Sequence, residues 1–418
     1  MSEIYYALNP WWEGKDFPVG ISRPRYIDEL SPKMKRRQIE VLTGSRRAGK
    51  TTILKQLIKQ ALKDGVGADA ILYLALDHPQ LAGRTVSEHL KYFRKLFKHS
   101  RNKKLLLFLD EVQESPNWQT ELKAVYDLEE VKMVCTGSTA SLIQGQGGKL
   151  TGRQIITTVY PLDFEEFLVF KGGPPSRAEE YQYVALVEDY LRIGGYPENV
   201  LNPSEEYLSN LLDDILARDI IRLHDIRKAG LLKDLFRLIT ASVGSRISYN
   251  KLANTLGVAL ETVRDYIGLF ESAFLVKTLG KWTTSHTDKV YANKKLFLVD
   301  TGLKTLITGP GDLGAKAENA VFIKFGKEKI DCGYFAHSEK EVDFVIGPDK
   351  VIPIEVKYDS ALEISDRRLA GLRMFLRQNP RIDRAIIVTK DFRSELRRDG
   401  VKISFIPLWE FLCQRFRG

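Results

Sequence analysis

The chain has 418 residues, of which 44% are apolar and 28% charged, with a net charge of +9. At roughly 100 to 200 residues per domain this length fits about three domains, and the composition excludes wholesale disorder or a coiled-coil rod. No apolar run reaches the ~18 residues of a membrane span and "MSEIYYALNPWWEGKDF" has no leader pattern, so a cytoplasmic protein without a membrane partner is expected, with polyanions such as nucleic acid admitted by the charge.

In chain order, "IEVLT" (39–43) reads as a short buried strand running into "GSRRAGKTTILKQLIKQAL", whose apolar positions Ile53, Leu54, Leu57 and Ile58 repeat at helical spacing. The connecting loop matches G-x-x-x-x-G-K-[ST], in which glycines let backbone amides approach phosphate oxygens. Its residues Gly44, Ser45, Arg46, Arg47, Ala48, Gly49, Lys50 and Thr51, with the following Thr52, are the candidate nucleotide contacts. Lys50 is expected to reach the β/γ-phosphates and Thr51 to bind Mg²⁺. "ADAILYLALDHP" reads as another strand, and "KLLLFLDEVQ" as a further one ending in Asp110 and Glu111. A carboxylate at that edge can hold Mg²⁺, and its neighbour can orient the attacking water. "KMVCTGS" ends at Ser138, which would lie near the γ-phosphate if these strands are parallel. Strand and helix alternate as in a doubly wound parallel α/β sheet, where ligands bind at strand C-terminal ends.

From about 160 to 235 amphipathic helical patterns alternate with Gly- and Pro-containing loops. Then "RISYNKLANTLGVALETVRDYIGLFESAFLVKTL" (246–279) has helix-turn-helix spacing around Gly257, followed by wing-like strands. DNA docking by its second helix and plain domain packing are equally compatible with it, because Glu261, Arg264, Asp265 and Glu271 are of mixed sign.

Near the C-terminus "EVDFVI" and "VIPIEVKY" read as two strands joined by "GPDK". Alternation places Glu355 and Lys357 on one face, and a hairpin would bring Asp343 beside them. Two carboxylates can hold a hard divalent cation, and a lysine beside them can position or deprotonate water. Cys135, Cys332 and Cys413 are far apart and read as structural thiols.

The motifs "GSRRAGKTT", "LFLDEVQ", "TGSTASL", "TGR" and "YPLDFEEF", with "YLRIGGYPE", "ARDI" and "LVDTGL" further on, resemble AAA-type (AAA+) P-loop ATPases of an archaeal and bacterial branch with an uncharacterised C-terminal domain. The D, then E-x-K pattern resembles the metal-dependent nucleases of the restriction-endonuclease-like PD-(D/E)xK superfamily, with Glu318 as the upstream helical carboxylate. The resemblance implies an ATPase core (1–160), a helical lid (161–235), a winged helix (236–295) and a restriction-endonuclease-like α/β domain (296–418). It implies ATP and Mg²⁺ as cofactors and a homo-oligomer, a hexamer foremost. It also implies an arginine supplied in trans, with Arg153 the first candidate and Arg218 the second.

The function expected is ATP hydrolysis coupled to work on DNA. The C-terminal domain would hold or cut DNA, with Glu318, Asp343 and Glu355 as metal ligands beside Lys357 where it cuts, or with the fold kept as a nucleic-acid-binding surface where it does not. The alternative is a protein-remodelling or signalling switch that engages a protein partner; a small-molecule kinase fits poorly.

Overall fold

The computed structural model describes all residues except 1, 138–149, 284, 286, 288–290, 348–349 and 416–418. Backbone contacts divide the chain into two compact units, Met1–Val159 and Tyr160–Gly418. The segments expected as lid, winged helix and C-terminal domain fall together in the second.

The first unit is built on strands β1 (Ile39–Thr43), β2 (Ile71–Ala75), β3 (Leu105–Asp110), β4 (Val131–Thr136) and β5 (Gln154–Thr158), in the order β2-β3-β4-β1-β5. All neighbouring pairs are parallel. Every residue of β1 and β4 is buried, because a parallel sheet has both faces covered. Helix α1 (Lys50–Lys63) packs Ile53, Leu54, Leu57 and Ile58 on one side with Leu42, Phe108 and Val134. The helices Val86–Leu96 and Trp118–Leu128 share a second cluster with Leu72, Leu107 and Met133. Consecutive residues of each strand thus feed opposite faces.

In the second unit, β6 (Arg246–Ile247), α2 (Tyr249–Leu256), α3 (Leu260–Ser272), β7 (Val276–Leu279) and β8 (Lys294–Leu298) follow one another, the strands forming a three-stranded sheet in the order β6-β8-β7. Gly257, at φ +63°, makes the left-handed turn that ends α2. Helix α4 (Leu313–Glu328) leads into a six-stranded sheet of β9 (Cys332–His337), β10 (Lys340–Ile346), β11 (Ile352–Val356), β12 (Arg384–Thr389), β13 (Ser394–Arg398) and β14 (Val401–Pro407). Its order is β13-β14-β12-β11-β10-β9, with β11, β12 and β14 parallel and β9–β10–β11 an antiparallel meander.

One apolar cluster runs through all of these segments, which explains why they form a single unit. Phe164, Tyr190, Phe236, Phe270, Phe297, Phe325, Phe344 and Phe411 all belong to it. Polar ties reinforce it. Asp163 and Glu166 form a capping box at the helix Phe164–Phe170, and the buried Lys327 ammonium of α4 lies 2.9 Å from Asp163 and 2.5 Å from Glu166. Among the described residues no helix is long and apolar enough to cross a membrane.

Candidate functional site

The loop between β1 and α1 has the backbone that its glycines permit. Gly44 sits at φ +140°, and a Cβ there would lie 2.0 Å from the Val159 carbonyl oxygen, so no side chain fits. Gly49, at φ +95°, opens α1. Ser45 and Ala48 are buried, Arg46 is half-buried, and Arg47 is exposed in the left-handed region at φ +63°. The Lys50 ammonium is 7% exposed and donates to the carbonyls of Gly44 (3.1 Å) and Ser45 (3.0 Å), so it is held within the loop. The N-terminus of a fourteen-residue helix favours anions there as well.

The C-terminal edge of β3 faces this loop. Thr51 Oγ1 donates to Asp110 Oδ2 at 2.8 Å, and the Tyr73 hydroxyl donates to the same oxygen at 3.0 Å. Thr136 donates its hydroxyl to Asp110 Oδ1 and accepts from the Glu111 amide at 3.0 Å. Asp110 is therefore oriented by neutral donors. Glu111 occupies the left-handed region at φ 51°, which costs a non-glycine residue backbone strain and turns its carboxylate out of the strand register. Gln113 Nε2 donates to that carboxylate at 2.6 Å. Burial raises the Glu111 pKa, against the pull of the Lys50 charge, and a raised pKa makes a stronger base.

These features fit ATP with Mg²⁺. The phosphates would lie along the Gly44–Thr51 backbone beside Lys50, and the metal would be held by Thr51 and Asp110. Mg²⁺ would neutralise charge on the phosphates. Glu111 would orient a water and accept its proton.

Ser138 lies outside the described residues. Arg153 accompanies the opposite, N-terminal edge of β1, where its carbonyl accepts from the Ile39 amide, roughly 15 Å of strand from Gly44. Its guanidinium pairs with Asp127 at 3.1 Å. It stands away from its own loop. Arg218, in the second unit, is exposed and 3.4 Å from Asp214.

Sequence reading missed three supports of this site. Arg23, 1% exposed, donates to the Ala48 carbonyl at 2.7 Å and so braces the loop from 25 residues upstream. Tyr73 and Thr136 fix Asp110, yet in sequence they are ordinary strand residues.

In the second unit the expected carboxylates do come together. Asp343 on β10 and Glu355 on β11 lie side by side, with the Val356 amide donating to Asp343 Oδ2 at 2.9 Å, and Glu318 projects from α4. The space between them is filled by ammonium groups. Lys295 of β8, 0% exposed, lies 2.8 Å from Glu318, 2.5 Å from Glu341 and 3.3 Å from Asp343. Lys357 lies 2.6 Å from Glu355 and 3.4 Å from Asp343, and Arg246 lies 3.1 Å from Glu341. Burial alone would strip protons from both lysines, but the facing carboxylates outweigh it and raise both pKa values, so the groups stay charged. Burial and the Asp343 charge push Glu318 and Glu355 up, whereas Asp343 is held low by Lys357 and Lys295 against the effect of burial.

Among the described residues no three His, Cys, Asp or Glu side chains are arranged to hold a metal ion. Glu318, Asp343 and Glu355 therefore do not fit a divalent cation in this arrangement, and the Lys357 ammonium is engaged by Glu355 and Asp343. Lys295, Glu341 and Arg246 were missed because nothing in "KKLFL" distinguishes a buried ammonium from a solvated one.

At the other end of the same sheet, the starts of β11, β12 and β14 line an open groove of about 880 Å³. Lys350, Arg381, Arg384, Arg397 and Lys402 line it against Asp383. The exposed face of α3 is less basic, with Glu261, Arg264 and Asp265.

A glycine-lined phosphate loop at the end of a central parallel strand, with Asp110 and Glu111 on the next strand but one, defines a P-loop ATPase site. Residues 36–168 match the AAA domain family, and this segment is an AAA-type ATPase domain. Residues 184–313 and 313–411 match two families described as Domain of unknown function (DUF8612) and Domain of unknown function (DUF4143). An uncharacterised protein of Haemophilus influenzae is 25% identical over 93% of this chain and 98% of its own, and one of Methanocaldococcus jannaschii is 28% identical over 77% and 75%. Similar solved structures include a Walker-type ATPase of Pyrococcus abyssi (14% identity, TM-score 0.43, 69% of this chain and 96% of that one). The replication initiator DnaA bound to AMPPCP and single-stranded DNA is another (19%, TM-score 0.29, 63% and 92%).

Proposed function

We propose that this protein hydrolyses ATP with Mg²⁺ in its first unit and uses the turnover to act on DNA held by its second. The observation that carries the ATPase reading is the Asp110 carboxylate, bonded to the Thr51 hydroxyl and neighboured by a base, Glu111, with a raised pKa. Lys50 binds the phosphates, Thr51 and Asp110 hold the metal, and Glu111 activates water. DNA as partner is supported by the net charge of +9 and the basic groove at the starts of β11, β12 and β14. A homo-oligomer, a hexamer foremost, would allow Arg153 to reach a neighbour's phosphates. The second unit holds DNA rather than cutting it.

The mixed-sign face of α3 favours one other reading, a switch engaging a protein partner through that helix. The test is the ATPase rate in Mg²⁺ with and without single-stranded, duplex and four-way DNA, strand integrity being read from the same samples. Stimulation with intact strands is expected. Indifference to every DNA would move the reading to the protein-partner switch.

A further inference from the structure

The acidic cluster of the second unit contains a cation already. Three carboxylates, from Glu318, Glu341 and Asp343, surround the Lys295 ammonium, which has three N–H donors to match them. Its separations of 2.5 to 3.3 Å are those of charge-assisted hydrogen bonds, whereas Mg²⁺ demands oxygens at about 2.0–2.1 Å. We infer that Lys295 is the permanent resident cation of this cluster, standing where a divalent metal would otherwise bind, so that the C-terminal sheet of the second unit is a metal-free scaffold. This goes beyond the ATPase reading and does not depend on it.

Two observations support permanence. First, the cluster carries its own cations: Lys295, Lys357 and Arg246 pair with Glu318, Glu341, Asp343 and Glu355, so each acid already has a basic partner. A divalent ion added to these groups would meet two ammonium charges at short range, and their repulsion is strong where water is excluded.

Second, Lys295 sits on a strand packed into the core. It is followed in β8 by Leu296, Phe297 and Leu298, all 0% exposed, and Phe297 stacks on Phe322 at 4.4 Å and packs against Phe344 at 5.7 Å. Lys295 is itself 0% exposed, so its side chain has no open surface to turn into. The approach of Glu318 is also built in. Gly244 sits at φ +80° against it, where a Cβ would lie 2.9 Å from Glu318 Oε2. The cluster thus ties β6 and β8 of the three-stranded sheet to α4, β10 and β11.

The test is Mn²⁺ binding followed by electron paramagnetic resonance on the full, nucleotide-free chain. Wild type is compared with Asp343→Asn, Lys295→Ala and the double variant. Any signal from the first unit is identified by its loss in Asp110→Asn, so failure of the ATPase site and failure of this inference are separate results. Wild type should take up no Mn²⁺ that depends on Asp343. Lys295→Ala should gain one Mn²⁺ per chain, bound at least about tenfold more tightly than by the double variant. Should Lys295→Ala fail to fold, Lys295→Gln, which keeps most of the volume, replaces it under the same expectation. Mn²⁺ uptake by wild type that is abolished by Asp343→Asn would overturn the inference. So would a folded Lys295 variant that takes up none.

Discussion

Both units place lysine near paired carboxylates, and the two arrangements work in opposite senses. In the first, Lys50 donates to backbone carbonyls while hydroxyls of Thr51, Tyr73 and Thr136 hold Asp110 by neutral donors. In the second, Lys295 and Lys357 lie directly on the carboxylates and pair with them. The same residue types therefore make a metal site or a salt-bridged scaffold, according to which groups satisfy the acids. Neutral donors orient, and cations neutralise.

Five substitutions break or sharpen that contrast. The largest effect is expected in the first unit, where Lys50→Ala should cost about 10³-fold in ATP turnover through lost charge stabilisation. Glu111→Gln should cost about 10²- to 10⁴-fold in kcat while nucleotide still binds, since it removes only the base. Equilibrium nucleotide binding measured beside steady-state rates separates the two; equal loss of binding in both would deny Glu111 its role. In the second unit the effect should be on folding instead. Lys295→Met leaves Glu318, Glu341 and Asp343 buried without their partner, at about 3–5 kcal/mol. Denaturant titration of the second unit would show this, and an unchanged midpoint would mean that the carboxylates find other partners.

A smaller effect distinguishes the first unit by pH. His89 is fully buried, with its Nδ1 2.6 Å from the Tyr5 hydroxyl, and burial lowers its pKa to about 4 from an ordinary 6.5. The folded state resists a proton that the unfolded chain accepts. The stability it contributes is whole above pH 6.5 and is lost as pH falls toward 4, on the order of 3 kcal/mol. Melting curves across that window should show the loss in wild type and a flatter profile in His89→Gln. The smallest effect is expected for Arg153→Ala, whose partly exposed pair with Asp127 contributes less than about 1 kcal/mol to stability. A large drop in turnover with unchanged stability would identify Arg153 as the residue supplied to a neighbour.

The nucleotide site was legible in the sequence because its parts are contiguous. Gly44 to Thr51 must follow one another for the loop to form, and Asp110 and Glu111 close an unmistakable apolar strand. The meeting of Glu318, Asp343, Glu355 and Lys357 was legible too, from a hairpin and a preceding helix. What filled their cluster was not. Lys295 reaches it from a strand 48 residues before Asp343, and strand periodicity gives the face of a residue but not its distant partner. The same limit hid Arg23 behind the phosphate loop. It also hid the fusion of lid, winged-helix and C-terminal segments into one unit, which depends on long-range contacts such as that of Phe297 with Phe344.

The measurement that tests the contrast most directly is a count of tightly bound Mn²⁺ per full-length chain in the presence of a non-hydrolysable ATP analogue. The account predicts one, dependent on nucleotide, lost in Asp110→Asn and untouched by Asp343→Asn. Two ions per chain, or one that disappears with Asp343→Asn, would contradict it.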